Sequence, residues 1–175
     1  MLTTPLQLTV MMARIGSGRM VTPTFVRRGP DEPVPVFAPI AGRPEWISAI
    51  RRGLTSVVND DGGTGAKARP DEGSFVVAGK TGTSQVGRAS SETAQLDLPW
   101  ELRDHALFVS YAPAAKPRYA VTVVVEHGGG GGATAAPLAR EILEKTMARD
   151  PIAKPAWQGA PATGERRAPA DSRAG

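Results

Sequence analysis

Residues 78–87 read "AGKTGTSQVG", directly after the apolar run "FVV". One cation, Lys80, stands among glycines and hydroxyls: Gly79 before it, then Thr81, Gly82 and Thr83. Such a set serves one of two chemistries. It can cradle a phosphate, or it can hold a carboxylate and an oxyanion beside a nucleophile. A phosphate loop needs G-x-x-x-x-G-K-[ST], with glycine amides curled round the anion and a helix opening after the lysine. Here five residues, "SFVVA", separate Gly73 from Gly79 and read as a strand, and "TGTSQVGR" is a poor helix start. Spacing, loop composition and context all speak against phosphate.

Acyl transfer fits better. A lysine at the end of an edge strand can present its ammonium to a cleft while the extended backbone pairs with a substrate laid alongside as another strand. Thr81 and Thr83 are two residues apart, so they share one face of such a strand and their hydroxyls can hold a carboxylate together. The backbone N–H of Thr83 can meet a developing oxyanion, a kind of donor worth about 3–4 kcal/mol of barrier. Gly82 and Gly79 leave room for close approach. Lys-Thr-Gly on its own also fits a surface turn, so the surrounding elements must decide.

Those elements read as α+β. Thr4-Pro5-Leu6-Gln7 makes a capping box with proline at the first helical position. Leu8, Met11, Met12 and Ile15 follow at helical spacing, and Gly16 and Gly18 end the helix. Prolines 30, 33, 35, 39 and 44 forbid regular structure before a second helix, which Pro44 opens. Its apolar stripe is Trp46, Ile47, Ile50, Leu54, Val57 and Val58. After a long polar loop come three strand-like runs, "SFVVAGKT", "HALFVSYA" and "RYAVTVVVE". "PAAKP" between the last two is short enough for a hairpin, so they are expected antiparallel. Both faces of the third run are largely apolar, which calls for cover on both sides. "HGGGGGATAAP" leads into a last helix with Leu138, Ile142, Leu143 and Met147 on one face. The five glycines 128–132 read as a flexible connection that bends the backbone rather than as an anion site. Residues 1–150 are expected to form the folded part and 151–175, rich in alanine, proline, glycine and arginine, a disordered tail.

Composition excludes several function classes. The chain has 175 residues and no cysteine, which rules out disulfides, thiolate catalysis and zinc–sulfur sites. The formal charge is +4, and residues 151–175 supply +2 of it. The remainder forms no stripe, so nucleic acid is not an expected partner. No apolar run reaches the ~20 residues of a membrane span. "MLTTPLQLTVMM" has neither a basic start nor a cleavage site, so the chain as written carries no export signal. His105 and His127 each follow an acid, Asp104 and Glu126, at opposite ends of strands; structural or capping roles suit them better than catalysis. From its residues the loop 85–104 reads as a solvated connection.

K-T-G is one of three motifs, with S-x-x-K and S-x-N, shared by penicillin-binding proteins and serine β-lactamases. "TTPLQLTVMMARIGSG", "VAGKTGTSQV", "HALFVSYAP", "YAVTVVVEHGGGG" and "AAPLAREIL" stand in an order that resembles the C-terminal part of the transpeptidase domain of monofunctional (class B) penicillin-binding proteins. The elongation-type penicillin-binding protein 2 group is the most similar, over residues 1 to about 149. A serine β-lactamase fits the proline-rich and glycine-rich pattern less well. The resemblance implies part of a penicillin-binding/β-lactamase-like fold: three antiparallel strands with helices packed on the sheet, in a sheet that has five strands in the family. It implies a peptidoglycan D,D-transpeptidase. In that reaction a serine attacks the D-Ala–D-Ala bond of a stem peptide and passes the acyl group to an amine of a neighbouring stem, and β-lactams acylate the same serine. In that scheme Lys80 is catalytic, supplying electrostatic support near the nucleophile, and Thr81, Gly82 and Thr83 bind substrate. The resemblance also implies that the loop 85–104 borders the cleft. Neither metal nor cofactor is needed. The implied partners are stem peptide, β-lactams and, for the full-length protein, the elongation machinery at the periplasmic side of the inner membrane. One departure stands out. None of the nine serines has lysine three residues on or asparagine two residues on, so S-x-x-K and S-x-N are absent. The family places both upstream of the stretch that this chain resembles. The chain is expected either to be part of such an enzyme or to act as a non-catalytic interaction element.

Overall fold

Three antiparallel strands form the centre of the computed structural model, which describes residues 3–26, 29, 32–71, 74–86 and 97–150. Strand β1 spans Ala78–Ser84, β2 His105–Ala112 and β3 Tyr119–Val125, in the spatial order β1-β2-β3. Lys80 lies opposite Val109 and Thr83 opposite Ala106, while Phe108 faces Val123 across the next pair. The first strand begins later and runs further than the hydrophobic pattern predicts. Residues 74–77 are outside the ladder, although Val76 O still accepts the Ala114 N–H at 2.8 Å. Pro113 follows β2 directly and has no N–H to give, so regular pairing stops there.

Helix α1, Pro5–Ser17, starts as the sequence predicts: Gln7 N–H donates to Thr4 Oγ1, and the Thr4 N–H donates to Gln7 Oε1. Gly18 ends it in the left-handed conformation, φ 71°. Gly16, by contrast, lies within the helix beneath the Tyr111 ring. Helix α1 covers one sheet face, where Met12, Ala78 and Tyr111 form a small core with Ile15, Leu54, Val109 and Ala120. Thr9 Oγ1, whose proton goes to Pro5 O, also lies 2.8 Å from Thr122 Oγ1 of β3 and can accept from it. The Tyr111 hydroxyl is buried there with no hydrogen-bond partner among the described residues. Burial pushes its phenol above the usual value, and the Arg51 charge pulls weakly the other way.

The other face carries the larger core, in which Phe108, Ala106, Val123 and Val77 pack against Val58 and the last helix, α3 (Ala136–Arg149). Both faces of β3 thus have cover, as its composition requires. The buried face of α3 differs from the predicted one. Ala136, Ala139 and Leu143 are buried, whereas Leu138 and Ile142 remain 42% and 43% exposed. Small side chains let the helix lie close to the sheet, and that contact outweighs the larger apolar residues. In helix α2, Pro44–Asn59, only Val58 of the predicted stripe is fully buried, and Trp46 is 61% exposed. Its C-terminal turn does the positioning. Asn59 Nδ2 donates to Val77 O at 2.8 Å, and Gly65 N–H donates to Val57 O at 2.9 Å. The end of α3 is tied back to the hairpin through Asp150, which pairs with Arg118 and accepts from the Tyr119 hydroxyl. The expected tail, 151–175, lies outside the described residues, as does half of the loop 85–104, residues 87–96. No described helix is long and apolar enough to cross a membrane.

Candidate functional site

A cleft of about 470 Å³ opens against β1. Three segments line it: Gly63, Thr64, Ala66 and Lys67 from the loop after α2; Thr81 and Thr83 from β1; and Gly131, Gly132 and Ala133 from the turn before α3. Strand alternation places Thr81 and Thr83 together on this face and Lys80 on the other. The stem of Lys80 folds back on its own strand, so that its ammonium donates to Thr81 O at 3.0 Å and to Thr81 Oγ1 at 3.1 Å. The cation thereby reaches the cleft through a hydroxyl.

Gly82 is partly buried, and its backbone meets another backbone. A Cβ on Gly131 would lie 2.3 Å from Leu107 O and 2.4 Å from Gly82 O. Gly132 is as tightly seated, its Cβ position 2.4 Å from Thr64 O. These glycines let the chain before α3 rest on β1 and on the loop after α2 at once. The glycine run is therefore a packing surface at its C-terminal end, while the bend expected of it is confined to Gly129, φ 76°. The turn 131–135 that follows is a single π-helical turn. Gly79 is placed differently from expectation: the Phe108 ring fills the space over it, since a Cβ there would come within 2.6 Å of that ring. It serves the core, not the cleft.

The sequence reading passes over Thr64 and Lys67, which lie in what looks like an undifferentiated polar loop. Thr64 Oγ1 is 3.2 Å from Thr81 Oγ1. The glycines on either side of Thr64 are the one sequence signal for it. Among the described residues no acidic side chain lines the cleft, and two cations, Lys67 on the wall and Lys80 behind Thr81, bias it toward anions.

The histidines stand apart from the cleft and tie strand ends together. The His127 N–H donates to His105 Nδ1 at 2.9 Å, His127 Nδ1 lies 3.1 Å from Arg103 O, and the Trp100 and His127 rings are 4.6 Å apart. Among the described residues no group of histidine and carboxylate side chains could hold a metal.

Comparison with known proteins bears directly on this arrangement. The family model for the penicillin binding protein transpeptidase domain matches residues 1–144. The peptidoglycan D,D-transpeptidase MrdA of Haemophilus influenzae is 42% identical over 98 residues, which are 55% of this chain and 15% of that protein. The MrdA of Salmonella typhimurium is 32% identical over 153 residues, 81% of this chain and 24% of that protein. Among solved structures, the complex of PBP2 with MreC from Helicobacter pylori has a TM-score of 0.63 at 28% identity, covering 86% of this chain and 25% of that one. Pseudomonas aeruginosa PBP2 in complex with WCK 5153 has a TM-score of 0.59 at 31% identity, covering 82% of this chain and 30% of that one. This chain thus spans about a quarter or less of the curated relatives named here. With a family model matched from residue 1 to residue 144 and relatives and neighbours of the penicillin-binding protein 2 type, the chain belongs to the penicillin-binding protein transpeptidase domain family.

Proposed function

We propose that this chain supplies the substrate-carboxylate wall of a penicillin-binding peptidoglycan D,D-transpeptidase, residues 1–150 being the C-terminal portion of its transpeptidase domain. The observation that carries the reading is the pair of hydroxyls, Thr81 and Thr83, on one face of an edge strand in an anion-favouring cleft. In this reading the two threonines hold the terminal carboxylate of a D-Ala–D-Ala stem peptide, or the carboxylate of a β-lactam. The Thr83 N–H serves as an oxyanion donor. Gly82, between the two threonines, presents its backbone to Gly131 at the floor of the cleft. The Lys80 charge, relayed by Thr81 Oγ1, supports the anion and the acyl-transfer site. The acyl-accepting serine is not within these 175 residues, because no serine here has lysine three positions on. The chain by itself is then a binding element. By the same reading the whole protein works at the periplasmic side of the inner membrane with the elongation machinery. The Helicobacter pylori PBP2 complex with MreC supports a protein partner for it.

The test is a titration of ¹⁵N-labelled chain with N-acetyl-D-alanyl-D-alanine, followed by amide shifts. The reading expects saturable shifts at residues 80–83 and 131–133. Shifts confined to other regions, or none at millimolar peptide, would remove it.

A further inference from the structure

We infer that Thr64 is a ligand-binding residue of this cleft, donating its hydroxyl proton to the carboxylate, with Lys67 as the companion cation. The inference rests on the reading of the cleft given above and adds to it a residue outside the K-T-G segment. It starts from which groups can donate. The Lys80 ammonium has only protons to give, so at 3.1 Å Thr81 Oγ1 must accept from it. A hydroxyl that accepts from a cation is polarised into a better donor. Its one described oxygen neighbour beyond its own strand is Thr64 Oγ1, 3.2 Å away. The favoured polarity therefore runs outward: Lys80 N–H to Thr81 Oγ1, Thr81 O–H to Thr64 Oγ1. That leaves the Thr64 proton free at the cleft wall.

The hydroxyl of Thr64 is not needed to shape its loop. Backbone bonds do that: Gly63 N–H to Asp60 O at 3.1 Å, Gly65 N–H to Val57 O at 2.9 Å and Ala66 N–H to Gly63 O at 3.1 Å. The Thr64 carbonyl makes the tight contact with Gly132. The side chain is exposed, lines the cleft and touches only Thr81 among the hydrogen bonds of the described residues. Lys67, three residues on across the Ala66–Ala68 turn, puts a second positive charge on the same wall. A carboxylate between Thr64 and Thr83 would meet hydroxyl donors from two segments and a cation at its side.

The experiment measures affinities of the full chain for N-acetyl-D-alanyl-D-alanine and for its C-terminal amide, in the parent, Thr64→Val, Thr64→Ser and Lys67→Gln. A hydrogen bond to a charged group predicts roughly tenfold or greater weakening of carboxylate binding in Thr64→Val. Amide binding should change little, so the carboxylate-over-amide preference falls. Thr64→Ser should keep the parent preference, and Lys67→Gln should lose part of it in a salt-sensitive way. If Thr64→Val keeps the parent preference, or Thr64→Ser loses as much as Thr64→Val, this inference is overturned while the wider reading of the cleft stands. If the parent itself binds neither ligand, the wider reading falls first and takes this one with it.

Discussion

Replacing Gly131 by alanine should be among the most damaging single-methyl additions this chain can receive. The added Cβ would sit 2.3 Å from Leu107 O, 2.4 Å from Gly82 O and 3.0 Å from Gly82 N. Carbon–oxygen contacts settle at about 3.3–3.6 Å, so relief needs a shift of roughly 1 Å against two strands at once. All three obstacles are backbone, and no side-chain rotamer can yield. Overpacking costs about 1–3 kcal/mol, and the absence of any soft neighbour puts this case at the top, about 3 kcal/mol. That is a large share of the ~5–15 kcal/mol that holds a domain together. Gly53→Ala is the control, because Gly53 lies inside α2 with nothing within 4 Å of the new methyl. It should gain about 0.8–1 kcal/mol from helix propensity. Urea denaturation compares the two. At slopes of ~1–3 kcal/mol/M the midpoint of Gly131→Ala should fall by about 1–3 M, while that of Gly53→Ala rises. A Gly131→Ala midpoint within measurement error of the parent would refute the backbone seating and with it the account of how the cleft is closed.

Tyr111→Phe should be neutral or stabilise by up to about 1 kcal/mol, because it removes a buried hydroxyl without a partner. The same change should flatten the alkaline limb of stability. The folded phenol has a raised pKa, so the parent loses stability as pH climbs above the ordinary value of about 10, and urea midpoints from pH 8 to 11 read both effects. Incubation with a fluorescent penicillin followed by a denaturing gel should show no labelled band; a band abolished by mutating one of the nine serines would contradict the reading of the chain as a binding element. Val124→Lys should reduce self-association measured by sedimentation, since β3 is a sheet edge among the described residues, carries no charge and leaves Val124 38% exposed. Equal association of variant and parent would place the sticky surface elsewhere.

Local signals carried most of the fold. The capping box at Thr4, proline at position 44, and the β2 boundaries at His105 and Ala112 were readable because each rests on neighbours within a few residues. The start of β1 was not, because "SFVV" has strand composition but its would-be partner is Pro113. The packing face of α3 was hidden for a related reason: Ala136 and Ala139 look unremarkable until the distance to the sheet is known. At the cleft, the shared face of Thr81 and Thr83 was legible from their two-residue spacing. Thr64 lies 17 residues before Thr81, and no periodicity links the two. Only the fold brings that loop to β1.

The last turn of α2 is a shared mount for two walls of the cleft. Asn59 Nδ2 holds Val77 O, one residue before β1, and Val57 O holds Gly65, one residue after Thr64. A displacement of that helix end therefore carries Thr64 and the threonine-bearing strand in the same direction. The gap between them is buffered against motions that change where the cleft points. A ligand approaching from outside would meet two walls whose spacing is set by one helix end.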